Sequence, residues 1–276
     1  MQDQDMLTLL ACQINIPPTP TAAARDAHLV ASAASVRAHL QENRADIVVL
    51  PELSSIDYSR AAFDQLDQIA EPLEGASFHT WRAVAMEFAV YVSYSFARRD
   101  ASGTYIAIAV VTPQGVLAGH FDKLHMCQYG ASMEKEYFDA GDHVFTFDIK
   151  GFTLSPIICY DIRIPELARS LTLGHKVDVI LHCGAYYRDE SFATWHAFAT
   201  TRAMENQIFL LSLNRAGDTW GNSIFCLPWM DENTPAVRFP ETAEAFRYIT
   251  ITRDQMIQAR QDYTFLKDRL ADYDAL

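Results

Sequence analysis

Basic residues are scarce in this chain: its 276 residues hold 22 lysines and arginines against 35 aspartates and glutamates, a formal net charge of −13. That balance argues against a general electrostatic grip on nucleic acid or on an anionic membrane, since both need basic surface. Long hydrophobic runs are also missing. The longest are strand-sized, well short of the roughly 20 apolar residues of a membrane-spanning helix. The opening "MQDQDMLTLLACQI" places two acids and no base before its apolar run, unlike the positive start of a secretory signal. A soluble, cytoplasmic protein is the expectation. Cysteines are few and widely spaced, at Cys12, Cys127, Cys159, Cys183 and Cys226. An odd set with no CxxC pair fits reduced thiols better than a disulfide framework. Zinc-type spacing is absent around His125 and Cys127, around His182 and Cys183, and at His196, so no metal is expected. The GxSxG, Walker A and GxGxxG patterns are absent too, which removes the usual support for serine hydrolase, P-loop and dinucleotide-binding classes.

What is present is a globular composition, 50% hydrophobic and 21% charged, large enough for a substantial core. Short β-rich runs alternate with helical patterns. Strands are predicted at 7–14, 46–50, 90–97, 104–111, 116–123, 143–149, 177–181, 207–213 and 246–251, and in the run that climbs to Cys159. Helices are predicted near 21–43, 59–70, 76–89, 165–174 and 190–206, with a last amphipathic one from about Arg253 to Asp272. No Gly/Ser/Pro-rich linker interrupts this, so residues 1–276 read as one α/β domain with a C-terminal helical extension over 253–276. "ADIVVLPEL" (45–53) and "VDVILHCGA" (177–185) look alike. Either an α/β unit is duplicated, or two buried parallel strands resemble each other as such strands do. Duplication would make two face-to-face sheets with helices outside the natural architecture.

Ligands in α/β proteins bind beyond the carboxyl ends of the strands. Polar residues stand at such places: Glu52 in "VVLPEL", Lys123 in "GHFDKLH", Cys159 in "SPIICYD", with Glu134 in the loop "SMEKEYFDAGD". Each alone has an ordinary structural explanation: a helix-start acid, a solvated ion pair, a small buried thiol. Together they suffice for acyl transfer. A thiol with an ordinary pKa of about 8.5 needs a base or a neighbouring cation, and an ammonium can favour the oxyanion formed later. A papain-like pairing of Cys159 with His182 or His196 is the competing arrangement. A binding scaffold without catalysis is the non-enzymatic one.

The ordered set "LPEL", "FDKLHM", "EKEYFDAGD" and "ICYDIRIPELARSL", supported by "VDVILHCGAYY", "WHAFATTRAMENQIFLLSLNRAG" and "WGNSIF", resembles the nitrilase superfamily of carbon–nitrogen hydrolases over roughly residues 7 to 252. The resemblance implies a four-layer αββα sandwich and a Glu-Lys-Glu-Cys site. Glu52 is similar to the family's general base and Cys159 to its nucleophile, passing through a thioester. Lys123 resembles the oxyanion stabiliser, helped by the backbone N–H of Tyr160. Glu134, seven residues before Gly141, resembles the second glutamate; Glu136 is then a solvated or turn-supporting acid. No cofactor is implied.

"CYDIRIPEL" looks more like the amidase-type branches than the carbamoylases. A small aliphatic amide is therefore the expected substrate, with an N-carbamoyl compound or a nitrile as the alternative. The chain departs from the pattern at Cys183, at Ile164 and in "FCLPWMDENTPAV", which bears on substrate preference. Tyr58, Tyr129, Tyr186, Tyr187 and Trp195 are candidates for an aromatic pocket lining, His125 for the pocket beside Lys123, and Arg188 for an anionic substrate end. Arg163 reads as a helix-start or subunit-contact residue ahead of one that binds a substrate carboxylate. The resemblance further implies a homodimer or higher homo-oligomer through the helices at 165–174 and 190–206.

Overall fold

Alternation along the strands decides which way each side chain faces, and in this molecule it separates two cores. The computed structural model describes residues 5–273. In β1 (Met6–Gln13), Leu7, Leu9 and Ala11 join one apolar cluster while Leu10 and Cys12 join the other; β2 (Ile47–Val49) divides Ile47 and Val49 from Val48 in the same way. Strands buried on both faces read as continuous apolar runs for this reason.

Among the described residues, twelve strands form two six-stranded sheets. In the first, the order is β12 (Ala245–Thr252), β1, β2, β3 (Tyr91–Arg99), β4 (Thr104–Val111), β5 (Leu117–Asp122). In the second it is β11 (Val237–Arg238), β10 (Ile224–Cys226), β9 (Phe209–Leu213), β8 (Val179–Cys183), β7 (Phe152–Ile158), β6 (Phe147–Ile149). Each sheet carries three consecutive parallel strands, β1-β2-β3 and β7-β8-β9, flanked by antiparallel ones. β2 and β8, the pair whose sequences look alike, are the middle strands of the two triplets.

Helices close the outer faces. α1 (Ala22–Glu42) is capped by Thr21, whose side chain accepts the Ala24 N–H, and turns Leu29, Ala33, Val36 and Leu40 inward. These meet Trp81, Val84 and Ala85 of α4 (Ala76–Phe88) over the first sheet, the stripe an amphipathic helix presents to a core. Two helices cover the second sheet: α5 (Pro165–Gly174), begun by a proline at a position that needs no N–H, and α6 (Phe192–Asn206). The layers are therefore α, β, β, α.

Some elements differ from expectation. The helix expected at 59–70 is two short turns, α2 (Arg60–Phe63) and α3 (Leu66–Ile69). The strand expected at 143–149 begins only at Phe147, and β10 and β11 were not foreseen. The C-terminal helix is α7 (Arg253–Asp262) followed by the separate turn α8 (Phe265–Asp268); positions 274–276 of the expected extension lie outside the described residues. Among the described residues no helix is long and apolar enough to cross a membrane.

Candidate active site

Four strand exits and one loop build the site. Past β2 the chain turns at Leu53, whose φ is 47°, and buries Glu52 completely. The turn is tied from both sides. Ser95 of β3 accepts the Leu53 N–H at 2.9 Å, and Arg215, just past β9, donates to the carbonyls of Glu52, Leu53 and Ile56 at 3.0, 2.8 and 2.8 Å. Arg215 is 2% exposed and lies under the rings of Tyr58 and Trp220; burial lowers its pKa to about 10. A buried cation spent on three carbonyls also supplies positive charge beside Glu52.

Lys123 follows β5, its backbone held by Ile106 and Gly141. Gly141 sits where a Cβ would lie 2.3 Å from the Asp122 carbonyl, so no larger residue fits that crossing. The Lys123 ammonium is fully buried and donates to Glu52 Oε1 at 2.8 Å and to Glu134 Oε1 at 2.6 Å. Glu134 also accepts the Tyr58 hydroxyl at 2.9 Å and the Cys127 N–H at 2.8 Å. Glu136, two residues on, points outward to Arg60 at 2.6 Å and to Gln128, so of these neighbouring acids it is Glu134 that turns inward.

Cys159 follows β7 directly and opens a 3-10 turn over Cys159–Arg163, with φ 44°, a left-handed conformation rare for a residue with a side chain. Asp161, fully buried, holds this bend: one carboxylate oxygen accepts the Ile158 N–H at 3.0 Å and the other accepts the N–H and Nδ1 of His125 at 3.0 and 2.7 Å. Burial pushes the Cys159 thiol well above its ordinary pKa. The negative charge of Glu52 adds to this, and the positive charge of Lys123 opposes it. The thiol thus rests protonated in the field of all three charged neighbours. Glu52 is likewise raised, burial outweighing the pull of Lys123. Its Oε2 is buried without a hydrogen-bond partner, a position natural proteins leave open only for a reason.

A narrow pocket of about 30 Å³ opens onto Cys159 and Glu134, walled by Tyr58, Tyr129, Tyr160, Arg163, Tyr186 and Tyr187. Three expected pocket residues are elsewhere. His125 is engaged with Asp161. Arg188 binds the Trp220 and Glu241 carbonyls and the Glu241 carboxylate. Trp195 is buried behind the wall, stacked on Tyr186 with ring centroids 4.5 Å apart. Conversely, Arg163 is on the wall, its guanidinium over Phe198 and Tyr129 and its Nε and Nη2 buried without a partner. The papain-like pairing fails on geometry. His182 bonds the Cys159 carbonyl and Ser212, and His196 bonds the Asn222 carbonyl and Arg238; neither is bonded to the thiol.

A family profile for carbon-nitrogen hydrolases matches residues 9–261. The chain belongs to the carbon-nitrogen hydrolase family. This hydrolase is 31% identical over 228 residues to an (R)-stereoselective amidase of a Pseudomonas species, covering 81% of this chain and 79% of that one. It is 31% identical over 196 residues to the 2-oxoglutaramate amidase of Bacillus subtilis (strain 168), covering 68% and 73%. Its fold superimposes on a carbon-nitrogen hydrolase from Helicobacter pylori G27 with a TM-score of 0.85 at 20% identity, covering 100% and 99%. Reading the sequence passed over Arg215 and Asp161. Arg215 stands directly past a strand in "LLSLNRAG", so the strand-exit rule that singles out Glu52 and Cys159 reaches it as well.

Proposed function

We propose that this hydrolase cleaves a small amide to a carboxylic acid and ammonia through a thioester on Cys159. The observation that carries the reading is the free Oε2 of Glu52. Its other oxygen is held by Lys123, so the carboxylate is fixed with one lone-pair edge unoccupied in a buried site that also holds a protonated thiol.

Glu52 takes the Cys159 proton as sulfur attacks the amide carbon, and the carbonyl oxygen becomes an oxyanion. An ammonium has three N–H donors; Lys123 spends one on each glutamate and keeps the third for this oxyanion, beside the Tyr160 N–H. Collapse breaks the C–N bond while Glu52 returns the proton to the departing nitrogen, releasing ammonia. Water, deprotonated by Glu52, then attacks the thioester, and the thiolate leaves and is reprotonated by the same carboxyl group. Glu134 keeps Lys123 in place and is the acceptor available to the substrate amide N–H.

Ammonia release from propionamide, succinamate, N-carbamoyl amino acids and aliphatic nitriles tests this, with intact-mass detection of the acyl-enzyme. Amides are expected to turn over with an acyl adduct on Cys159. Carbon dioxide appearing with ammonia would move the assignment to carbamoyl chemistry, and silence across the panel would overturn it. The pH profile has a definite sign. Glu52 must be ionised to accept a proton, and its pKa is raised by burial. The acid limb of kcat/KM is therefore expected above the ordinary glutamate value of about 4.3; a midpoint at or below that value would contradict Glu52 as the base.

Arg163 favours a substrate that ends in a carboxylate. A guanidinium on the pocket wall with two buried, unbonded nitrogens has unmet capacity for an anion, and one relative is named for 2-oxoglutaramate. Arg163→Met is expected to lower kcat/KM for succinamate by about tenfold or more while leaving propionamide nearly unchanged, the worth of a hydrogen bond to a charged group being ~1.5–3 kcal/mol. Equal losses on both amides would remove this preference.

A further inference from the structure

The backbone carbonyl of Cys159 is held more firmly than packing requires. Two side chains donate to it, His182 Nε2 at 2.9 Å and the Tyr186 hydroxyl at 2.8 Å. Behind His182 stands Ser212, its Oγ 2.7 Å from Nδ1, and behind Ser212 the Trp195 indole, its Nε1 also 2.7 Å from that Oγ. Neighbouring elements supply the parts: His182 and Ser212 are register partners on β8 and β9, and Trp195 comes from α6.

Only one proton arrangement satisfies every bond with a neutral imidazole. An indole N–H can only donate, so Ser212 Oγ accepts from Trp195 and turns its own proton to His182 Nδ1. A carbonyl can only accept, so His182 Nε2 carries the ring proton and donates it to Cys159. Full burial keeps the imidazole neutral, with a pKa near 3. The chain therefore runs one way, from the Trp195 N–H to the Cys159 carbonyl.

The other end of that peptide unit is the Tyr160 N–H. A planar trans peptide points its C=O and N–H in opposite directions, so anchoring the oxygen fixes the direction of the hydrogen, and donors on a carbonyl polarise the amide and strengthen its N–H as a donor. We propose that His182 and Tyr186, backed by Ser212 and Trp195, are positioning residues that aim and polarise the Tyr160 N–H as the oxyanion donor. The inference rests on the thioester reading above and assigns parts of that reaction to residues that act through the Cys159 carbonyl.

The test uses the full-length enzyme with propionamide as substrate and propionaldehyde, whose thiohemiacetal oxygen mimics the oxyanion, as probe. His182→Leu and Tyr186→Phe are each expected to lower kcat about tenfold to a hundredfold with KM within about twofold, and to weaken propionaldehyde inhibition by a similar factor, somewhat less than removing an oxyanion donor outright. His182→Gln, whose amide can accept from Ser212 and donate to Cys159, is expected to recover most of the loss. Nitrogen-15 NMR of the His182 ring should show the Nε2–H neutral tautomer from pH 5 to 9. Should His182→Leu fold poorly, Tyr186→Phe, which removes one oxygen, carries the same readouts. Activity lost in Cys159→Ala but unchanged kcat and inhibition in Tyr186→Phe and His182→Leu would overturn the inference and leave the thioester reading standing. An Nδ1–H tautomer, or losses in KM alone, would also overturn it. Full activity in Cys159→Ala would instead overturn the reading beneath it.

Discussion

Cys159→Ala is expected to abolish amide turnover, lowering kcat by ~10⁴-fold or more, as the loss of a nucleophile does elsewhere, with little change in thermal stability. The reason is the division of labour around the sulfur. Glu52, Lys123 and Glu134 are all buried, and a thiol among them rests protonated because burial and Glu52 disfavour the anion. In the proposed reaction the thiolate is formed only as the substrate carbon arrives, with the Cys159 sulfur as attacking atom. Iodoacetamide gives a second readout, since it brings an amide together with an alkylating carbon. Cys159, which lines the pocket, should be labelled first. Cys12, Cys183 and Cys226 are sealed in the core with their thiols raised by burial, Cys226 to about 12, and should be labelled only on unfolding. Cys127 shares the pocket, so peptide mapping must separate it from Cys159. A Cys159→Ala enzyme with undiminished turnover would mean that the pocket is not where the chemistry occurs.

Glu52, Lys123 and Cys159 were legible because the fold uses a rule visible in sequence: an apolar strand ends, and the next polar side chain is delivered to the edge of the sheet. The same rule reaches Arg215, passed over because a guanidinium is ordinarily a surface group and its burial follows only from the meeting of two sheets. Helix α5 was legible to the residue, from Pro165 to Gly174, because its start and stop are both local. Elements set by tertiary contacts were not. The C-terminal helix breaks at Tyr263, whose ring stacks on Trp229 at 3.5 Å and whose carbonyl is taken by Gln207; these contacts outcompete a periodic pattern that would otherwise continue. The strand expected from 143 starts late because the Phe145 carbonyl accepts from Ser155 Oγ and its ring packs against Phe147. β10 and β11 are three and two residues long beside a Pro- and Asn-containing loop, too short for alternation to register. His125, Arg188 and Trp195 had the right side-chain types for a pocket and the wrong directions, which residue type alone does not reveal.

Lys123→Met is the second large effect, and it joins catalysis to stability. In the native site the ammonium is buried, and burial alone would push its pKa down. The carboxylates of Glu134 and Glu52 overturn that and hold it well above the ordinary lysine value, so it stays charged wherever the protein folds. Removing it deletes the proposed oxyanion donor, worth ~10²–10³ in kcat for one donor, and leaves two buried carboxylates that a single Nζ had bridged. Breaking a buried ion pair by removing one partner costs about 3–5 kcal/mol, to be read from urea midpoints. The pH dependence identifies the cause. Glu52 already has a folded-state pKa raised by burial against the pull of Lys123; without the cation that pull is gone, so the folded variant binds more protons and its stability falls as pH rises from the ordinary glutamate range upward. Lowering the pH from 8 to 5 should therefore raise the melting temperature of Lys123→Met relative to the parent. Adding Glu134→Gln should recover part of the stability at pH 8 and none of the activity, since it relieves repulsion without restoring a donor. Lys123→Arg is expected to rescue neither: a planar guanidinium cannot occupy the fully enclosed site of an ammonium between two carboxylates. A Lys123→Met protein as stable as the parent at pH 8, with no pH-dependent gain below it, would show that the three charges do not share one buried site.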